Sequence, residues 1–234
     1  MNISAIGLDF DELRRDLEGA SPREIVEAAT NIICPGRLGV VSSFGTESAA
    51  LLAYVAEVDP SIPVVFLDTG WLFEETLAYR DDLVARLGLT DVRSIRPDPD
   101  ALAERDPNGD LWFSNPDACC FLRKVEPLAR ALKGFDGWFN GRKRYHGGQR
   151  SAIPVIEQEG NRLKFNPLAN ATRDEVEGVY DRLGLPRHPL AAQGFTSVGC
   201  MPCTSRTKPG DDLRSGRWAG RSKSECGIHT VPTL

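Results

Sequence analysis

The sequence predicts an α/β protein built on a doubly wound, mostly parallel sheet. The runs Leu38-Gly39-Val40-Val41 and Pro63-Val64-Val65-Phe66-Leu67 are short, apolar and bounded by turn residues, and helical spacing follows each. Successive strand–helix units of this kind pair in parallel through right-handed crossovers. A chain of 234 residues that is 41% hydrophobic and 26% charged carries a full core.

The elements follow in order. Asp9 to Leu17 reads as a short helix. Ser21-Pro22-Arg23-Glu24 is a capping box with proline at the first helical position, opening a helix to about Ile33. Cys34 follows as a buried structural thiol. After the first strand, Ala49 to Val55 is helical; after the second, Phe73 to Leu87 is helical and stops at Gly88. Val92-Arg93-Ser94-Ile95 is a third strand, and the polar, proline-rich stretch from Pro97 to Pro116 is expected to be a loop. Helical spacing resumes from Asp117 through Leu132, Trp138-Phe139-Asn140 ends a strand, and Leu163 to Leu168 is expected at a sheet edge. Thr172-Arg173-Asp174-Glu175 is a second capping box, opening a helix to about Leu183. From Pro186 the composition turns to Gly, Pro, Cys and Arg with little periodicity. The expected division is therefore a nucleotide-binding α/β unit at 1-185 and an irregular appendage at 186-234.

A net charge of −5 argues against bulk nucleic-acid binding, and the apolar runs are too short to span a bilayer. With no basic-then-apolar leader at Met1, a reducing cytoplasm is expected. In that compartment the six cysteines are metal ligands, redox groups or core residues before they are disulfides.

Three constellations carry chemistry. Ser42-Ser43-Phe44-Gly45-Thr46-Glu47-Ser48 joins a strand to a helix, the layout of a phosphate cradle in which helix-start N–H groups and the macrodipole meet an anion. An ordinary capped turn is the other reading, and a Walker A lysine is missing. In parallel sheets ligands sit at the strands' carboxyl ends, which places Asp68-Thr69-Gly70 on the same rim. Gly141-Arg142-Lys143-Arg144-Tyr145-His146-Gly147-Gly148-Gln149-Arg150 follows a strand there too, as an anion site or a solvated basic loop. The second constellation is Cys119-Cys120 with Cys200-Met201-Pro202-Cys203. Consecutive cysteines converge poorly on one tetrahedral zinc, whereas each cysteine of an iron–sulfur cluster binds a different iron, so a 4Fe–4S cluster is favoured and zinc is the alternative. Bound metal would also supply folding free energy to a core-poor appendage. The third is the tail, Lys223-Ser224-Glu225-Cys226-Gly227-Ile228-His229, preceded between Arg206 and Lys223 by six basic residues against two acidic. Cations beside a thiol favour its thiolate and suit an anionic substrate.

Cys119-Cys120-x-x-Arg123-Lys124-Val125-x-Pro127-Leu128, Gly199-Cys200-x-Pro202-Cys203-Thr204, Arg214-x-Gly216-Arg217-Trp218 and the tail stand in this order, and with Ser42-Ser43-Phe44-Gly45 the chain resembles, nearly end to end, the cluster-containing branch of the phosphoadenylyl-sulfate (PAPS) and adenylyl-sulfate (APS) reductase family. The resemblance implies the adenine-nucleotide α-hydrolase-like, or PP-loop, version of the doubly wound sheet. It implies a modified PP-loop at Ser42 to Ser48, a 4Fe–4S cluster on Cys119, Cys120, Cys200 and Cys203, and an arginine loop near the nucleotide with Arg142 and Arg150. Lys124, Arg214, Arg217 and His229 would face the phosphosulfate, and Cys226 matches the catalytic cysteine. The chain departs from the family pattern at Asn170-Ala171-Thr172, where tryptophan commonly follows asparagine, and at Trp71, where a basic residue is common.

The implied reaction is assimilatory: APS yields sulfite and AMP through an S-sulfocysteine on Cys226, and thioredoxin or glutaredoxin supplies the electrons for cysteine biosynthesis. PAPS, or both nucleotides, is the near alternative. A PP-loop ATP pyrophosphatase that thiolates a nucleobase is the distant one, and it favours a Ser-Gly-Gly-x-Asp-Ser loop that this chain lacks. A cluster-bearing nucleotide sensor is the non-enzymatic alternative. The family forms homo-oligomers.

Overall fold

The computed structural model describes residues 9–229. Its centre is the pair β1 (Leu38–Ser42) and β2 (Val64–Leu67), whose apolar runs are buried on both faces, as a parallel sheet covered by helices requires. With β3 (Val92–Ile95), β4 (Gly137–Asn140), β5 (Ile156–Glu159) and β6 (Arg162–Phe165) they form a six-stranded sheet in the order β3-β2-β1-β4-β6-β5. All pairings are parallel except β5 with β6. The strand order runs outward from β1 to β3, then reverses to β4 on the other side of β1. That switch point, at the carboxyl ends of β1 and β4, is where such sheets bind ligands.

The expected helices form, with caps that explain their ends. The helix α1 (Phe10–Glu18) is capped by Asp9, which accepts from the Glu12 N–H at 2.9 Å. Both halves of the capping box close on α2 (Pro22–Ala28), after which a π-helical turn (Ala29–Ile33) completes the segment. Then come α3 (Ser48–Val58) and α4 (Glu74–Leu87), the latter ending on left-handed Gly88. Burial pushes the Cys34 thiol up to about 12, as suits a structural core residue.

Two expectations need correction. The stretch expected as a loop from Pro97 to Pro116 contains α5 (Pro99–Arg105) and α6 (Leu111–Ser114). Asp98 caps α5 by accepting from the Asp100 and Ala101 N–H groups, with Pro99 in the first turn, so residues that resemble loop punctuation here start a helix. The second concerns the sheet edge. Residues 163–165 lie in β6, between β4 and β5, and the antiparallel β5 is the edge. Its sequence, Ile-Glu-Gln-Glu, has too little apolar character to declare a strand, and a tight turn at Gly160 (φ 62°) pairs it back.

The helical stretch after residue 116 is α7 (Pro116–Cys120), a π-helical turn (Phe121–Val125) and α8 (Glu126–Ala131). Pro127 cannot donate to a carbonyl one turn back, and the π turn directly before it absorbs the lost register. The capping box of Thr172 opens α9 (Arg173–Leu183). One face of the sheet packs on α2, α3 and α9 through residues such as Val40, Leu52, Phe66, Phe139 and Phe165. The other buries Val65, Leu67 and Trp138 against Leu128 and Leu132, joined by Ile228 from the tail.

After α9 the chain builds no long element among the described residues. It is tied down by 3₁₀ turns at Pro189–Gln193 and Met201–Cys203, by bridges pairing Leu72 with Cys200 and Thr204 with Arg217, and by side chains reaching back. Thr46 Oγ1 donates to the Thr196 carbonyl at 3.0 Å, and His188 contacts Thr76 Oγ1 at 3.0 Å. No described helix is long and apolar enough to cross a membrane.

Candidate active site

The loop from β1 to α3 forms the floor of a cavity of about 190 Å³ at the switch point. Ser42, Ser43, Gly45, Thr46 and Ser48 line it, so the N-terminus of an eleven-residue helix faces it with its partial positive charge. Phe44 does not line it: its ring is buried edge-on against Phe66, centroids 5.4 Å apart. Its φ of 47° and its N–H bond to Ser42 Oγ at 3.2 Å turn the backbone so that the neighbouring residues face the cavity. A left-handed non-glycine residue costs roughly 1–2 kcal/mol. The other such residue among those described, Trp218 (φ 49°), does line the cavity.

Thr69 lines the cavity, whereas Asp68 and Gly70 do not. Asp68 is engaged elsewhere, accepting from Arg96 Nε at 2.8 Å and the Gly70 N–H at 3.2 Å. Thr69 Oγ1 accepts from the Trp71 N–H at 3.2 Å and makes a hydrogen bond with Cys200 Sγ at 3.3 Å. Opposite, Gly141, Arg142 and Arg150 line the cavity from the loop after β4.

That loop also brings groups the sequence did not single out. Glu47 lies between Lys143 Nζ (3.0 Å), His146 Nε2 (2.8 Å) and the Tyr145 hydroxyl (2.9 Å). Burial works against its charge, but the bond to His146 and the Lys143 ammonium outweigh this and hold its carboxyl well below the usual range. Arg142 is buried, pairs with Glu157, and donates from Nε to the side-chain oxygens of Asn140 and Asn166 at 3.1 and 3.3 Å. Arg150 pairs with Glu225. A carboxylate among several basic loop residues is the signal that could have marked Glu47, but its partners stand about a hundred positions away and only folding joins them.

Cys226, His229, Lys124, Arg214 and Arg217 line the same cavity. Lys124 comes from the π turn before Pro127. Burial opposes its charge, yet the sulfurs of Cys200 and Cys226 more than offset this, and its pKa is held above the ordinary value. Arg217 Nε donates to the Cys203 carbonyl at 3.3 Å, with the guanidinium 4.6 Å from the Trp218 ring centroid. It lies across Gly199, where a Cβ would stand 2.3 Å from both terminal nitrogens, so only glycine admits this approach. Burial, with Arg142, Arg150, Lys164 and Arg214 around it, holds His229 far below its usual pKa. Burial and these four cations disfavour a proton on the imidazole.

Beyond Lys124, the four remaining candidate cysteines line a second, smaller cavity. Cys119 and Cys120 sit on α7, Cys200 and Cys203 flank the turn Met201–Cys203, and all are free thiols. Among the described residues, no three Cys, His, Asp or Glu side chains converge on a single-ion site. Burial raises Cys119 to about 11 and Cys120 to about 12, and it raises Cys203 as well. Burial acts the same way on Cys200, but Lys124 and the Thr69 hydroxyl overcome it and lower its pKa. Three buried N–H groups beside these sulfurs have no partner: Trp71 Nε1, Trp218 Nε1 and Arg123 Nε. Leaving a buried donor unmade costs about 1–3 kcal/mol. Arg123 is otherwise fixed, donating to Asp106 at 2.6 Å and to the Thr69 carbonyl at 3.0 Å. Thiols and orphan donors around one space fit a sulfur-rich metal group, whose sulfurs accept such bonds.

The family described as the phosphoadenosine phosphosulfate reductase domain matches residues 37–206. The chain belongs to that family. It is 51% identical over 208 residues to the adenosine 5′-phosphosulfate reductase of Mesorhizobium japonicum, an alignment that covers 89% of this chain and 82% of that one. It is 38% identical to the phosphoadenosine 5′-phosphosulfate reductase of Gloeobacter violaceus, with 96% of each chain covered. Among solved structures, the PAPS reductase of Candida auris in a phosphate complex superposes with a TM-score of 0.71 at 27% identity, over 85% of this chain and 98% of that one. Yeast FAD synthetase shares the fold alone, with a TM-score of 0.54 at 14% identity. Both likenesses bear out the expected PP-loop type of α/β sheet.

Proposed function

We propose that this member of the family is an adenylyl-sulfate reductase, an oxidoreductase that converts APS to sulfite and AMP in sulfate assimilation. The observation that carries the reading is that Cys226, Lys124 and Arg217 line one cavity with the Ser42 to Ser48 loop. In it, residues 1-185 hold the nucleotide and 186-234 form the cluster-binding and catalytic tail. The floor loop, Thr69, Gly141 and the arginine loop hold the nucleotide, with Phe44, Asp68 and Gly70 shaping the loops rather than touching it. The thiolate of Cys226 attacks the sulfur of APS, the S–O bond breaks, and AMP leaves with the bonding pair. Charge gathering on the phosphate is met by helix N–H groups, and charge on the sulfo group by Lys124 and Arg217. Cys226 then carries an S-sulfo group. A dithiol protein, thioredoxin or glutaredoxin, attacks its Sγ and releases sulfite, and its second thiol resolves the mixed disulfide. His229 faces the sulfo group, and the charges of Lys124 and Arg214 favour the thiolate.

Cys119, Cys120, Cys200 and Cys203 would hold a 4Fe–4S cluster, which several thiols at wide spacing suit better than a single zinc. Bound there, it adds local charge and fixes Lys124, and the electrons come from the dithiol. A reducing cytoplasm and a homo-oligomeric state belong to the same reading.

APS is favoured over PAPS by the relatives' names and by charge. The loop cations that line the cavity are already paired with carboxylates: Arg142 with Glu157, Lys143 with Glu47 and Arg150 with Glu225. An added 3′-phosphate needs an uncommitted cation. Sulfite release from APS and PAPS, measured side by side with thioredoxin, tests this, with APS expected to be the better substrate by kcat/KM. A preference for PAPS overturns the specificity, and pyrophosphate formed from ATP alone would point to the thiolation reading.

A further inference from the structure

The tail is anchored at several points, and one differs in kind from the rest. Arg221 Nη1 donates to the Trp112 and Phe113 carbonyls at 2.9 and 3.1 Å. Lys223 pairs with Asp117, Lys164 Nζ donates to the His229 carbonyl at 2.9 Å, and Ile228 joins the apolar layer under the sheet. These contacts flank the thiol. Glu225 sits directly beside it and reaches two other segments at once. Arg150 grips its carboxylate with two bonds, Nε to Oε1 at 2.6 Å and Nη2 to Oε2 at 2.9 Å. Arg214 Nη2 donates to Oε2 at 3.2 Å and to the Ser224 carbonyl at 2.9 Å. The three side chains are only 12–16% exposed, so solvent and salt screen this triad weakly.

We propose that Glu225 is the latch of the catalytic tail, a positioning residue that holds Cys226 over the cavity by docking on Arg150 and Arg214. The proposal rests on the reading of Cys226 as nucleophile. It gives those two arginines, which line the cavity, the added task of holding the closed tail beside the nucleotide. Charge balance supports it. Arg150 and Arg214 are like charges in a poorly hydrated place: burial, with Arg150 beside it, lowers Arg214 to about 10. A carboxylate between them is what allows both to remain there as cations. The docked tail itself lines the cavity, through Glu225, Cys226, Ile228 and His229, so the latched tail faces the space proposed for the nucleotide. Release of the latch exposes Cys226, and with it the S-sulfo group, to an external dithiol. Gly227, with φ of 83°, provides the bend that lets Glu225 and Ile228 dock at once.

The test uses the whole chain with Glu225→Gln and Glu225→Asp. Iodoacetamide modification of Cys226, followed on its own peptide by mass spectrometry without ligand, is expected to run about tenfold faster in Glu225→Gln. Trypsin is expected to cut at Arg221 and Lys223 sooner. For sulfite release, kcat falls with little change in KM, and Glu225→Asp, which keeps the charge, recovers part of each effect. Retained AMP binding shows that the variant is folded. If it is not, Arg214→Gln, which removes one arm of the triad, is expected to give a smaller acceleration. Modification and proteolysis unchanged from the parent in a folded variant overturn the latch. Failure of the underlying reading is a separate result: it shows as sulfite release by Cys226→Ser, which the modification rates do not touch.

Discussion

Residues 38–185 bury Val, Leu and Phe side chains in layers on both faces of the sheet, whereas residues 186–229 bury little beyond His188, Leu190, Val198, Cys200 and Trp218. The first region derives its order from apolar area removed from water, at roughly 25 cal/mol per Å². The second is held by cations on carbonyls, carboxylates and ring faces: Arg221 on Trp112 and Phe113, Arg217 on Trp218, Glu225 between two arginines. A layered core makes a rigid frame, and a polar, anchor-by-anchor segment makes one that opens locally. The proposed chemistry needs both, since the nucleotide must be held still while the thiol meets two partners in turn.

The sharpest way to separate the regions is Cys226→Ser. Sulfite release is expected to fall to background while AMP binding, which belongs to the frame, is unchanged by calorimetry. Next in size is Cys200→Ser with Cys203→Ser. Iron and sulfide content is expected to vanish, and limited proteolysis should then cut first within 186–229, while far-UV circular dichroism of the frame is kept. Intact iron binding, or simultaneous digestion of both regions, would break the contrast. In the frame itself, Phe139→Ala removes a fully buried ring between β1 and β6 and is expected to cost about 3–5 kcal/mol in urea unfolding.

The seam between the regions has its own pH signature. Burial lowers His188 to about 4. Its Nδ1 accepts from the Leu190 N–H at 3.2 Å, so the proton rides on Nε2 and is donated to Thr76. A histidine whose folded pKa lies below its unfolded value of 6.5 takes up protons more readily when unfolded. Stability is therefore highest above pH 6.5 and falls as the pH drops from 6.5 toward 4. His188→Gln is expected to flatten that slope in urea titrations. Glu225 adds to the acid loss from below its ordinary value of 4.5, because the bond to Arg150 outweighs burial and keeps its carboxyl low. The smallest effect is expected for Gly227→Ala. Its left-handed φ costs about 1 kcal/mol with a side chain, and the new Cβ would stand 3.4 Å from Val125. The loss should appear in tail proteolysis and not in the unfolding midpoint.

Much of the frame was legible because its signals are local. Apolar runs between turn residues marked β1 and β2, and the boxes at Ser21 and Thr172 marked two helix starts to the residue. Signals that depend on partners were not. Asp98 looks like loop chemistry until its side chain is seen accepting the first N–H groups of α5, and the polar β5 is a strand only because β6 pairs with it. The same division runs through the site. Lys124, Arg214, Arg217 and Cys226 were picked out by type and order and meet in one cavity. Phe44, Asp68 and Gly70 were picked out by the same reasoning but do not line it, which spacing does not encode.

What the chain's sequence determined by itself is the fold type and the family, since these follow from periodicity and from motifs of a few adjacent residues; it also marked Cys226 as the thiol on which the proposed chemistry rests. What only the tertiary structure decided is which charges are committed. Glu47 takes Lys143 and His146, Glu157 takes Arg142, and Glu225 takes Arg150 and Arg214, while burial and the cations around it disfavour a charge on His229. Charge is paired by distance and burial, and those are properties of the fold, brought together from segments as much as a hundred residues apart.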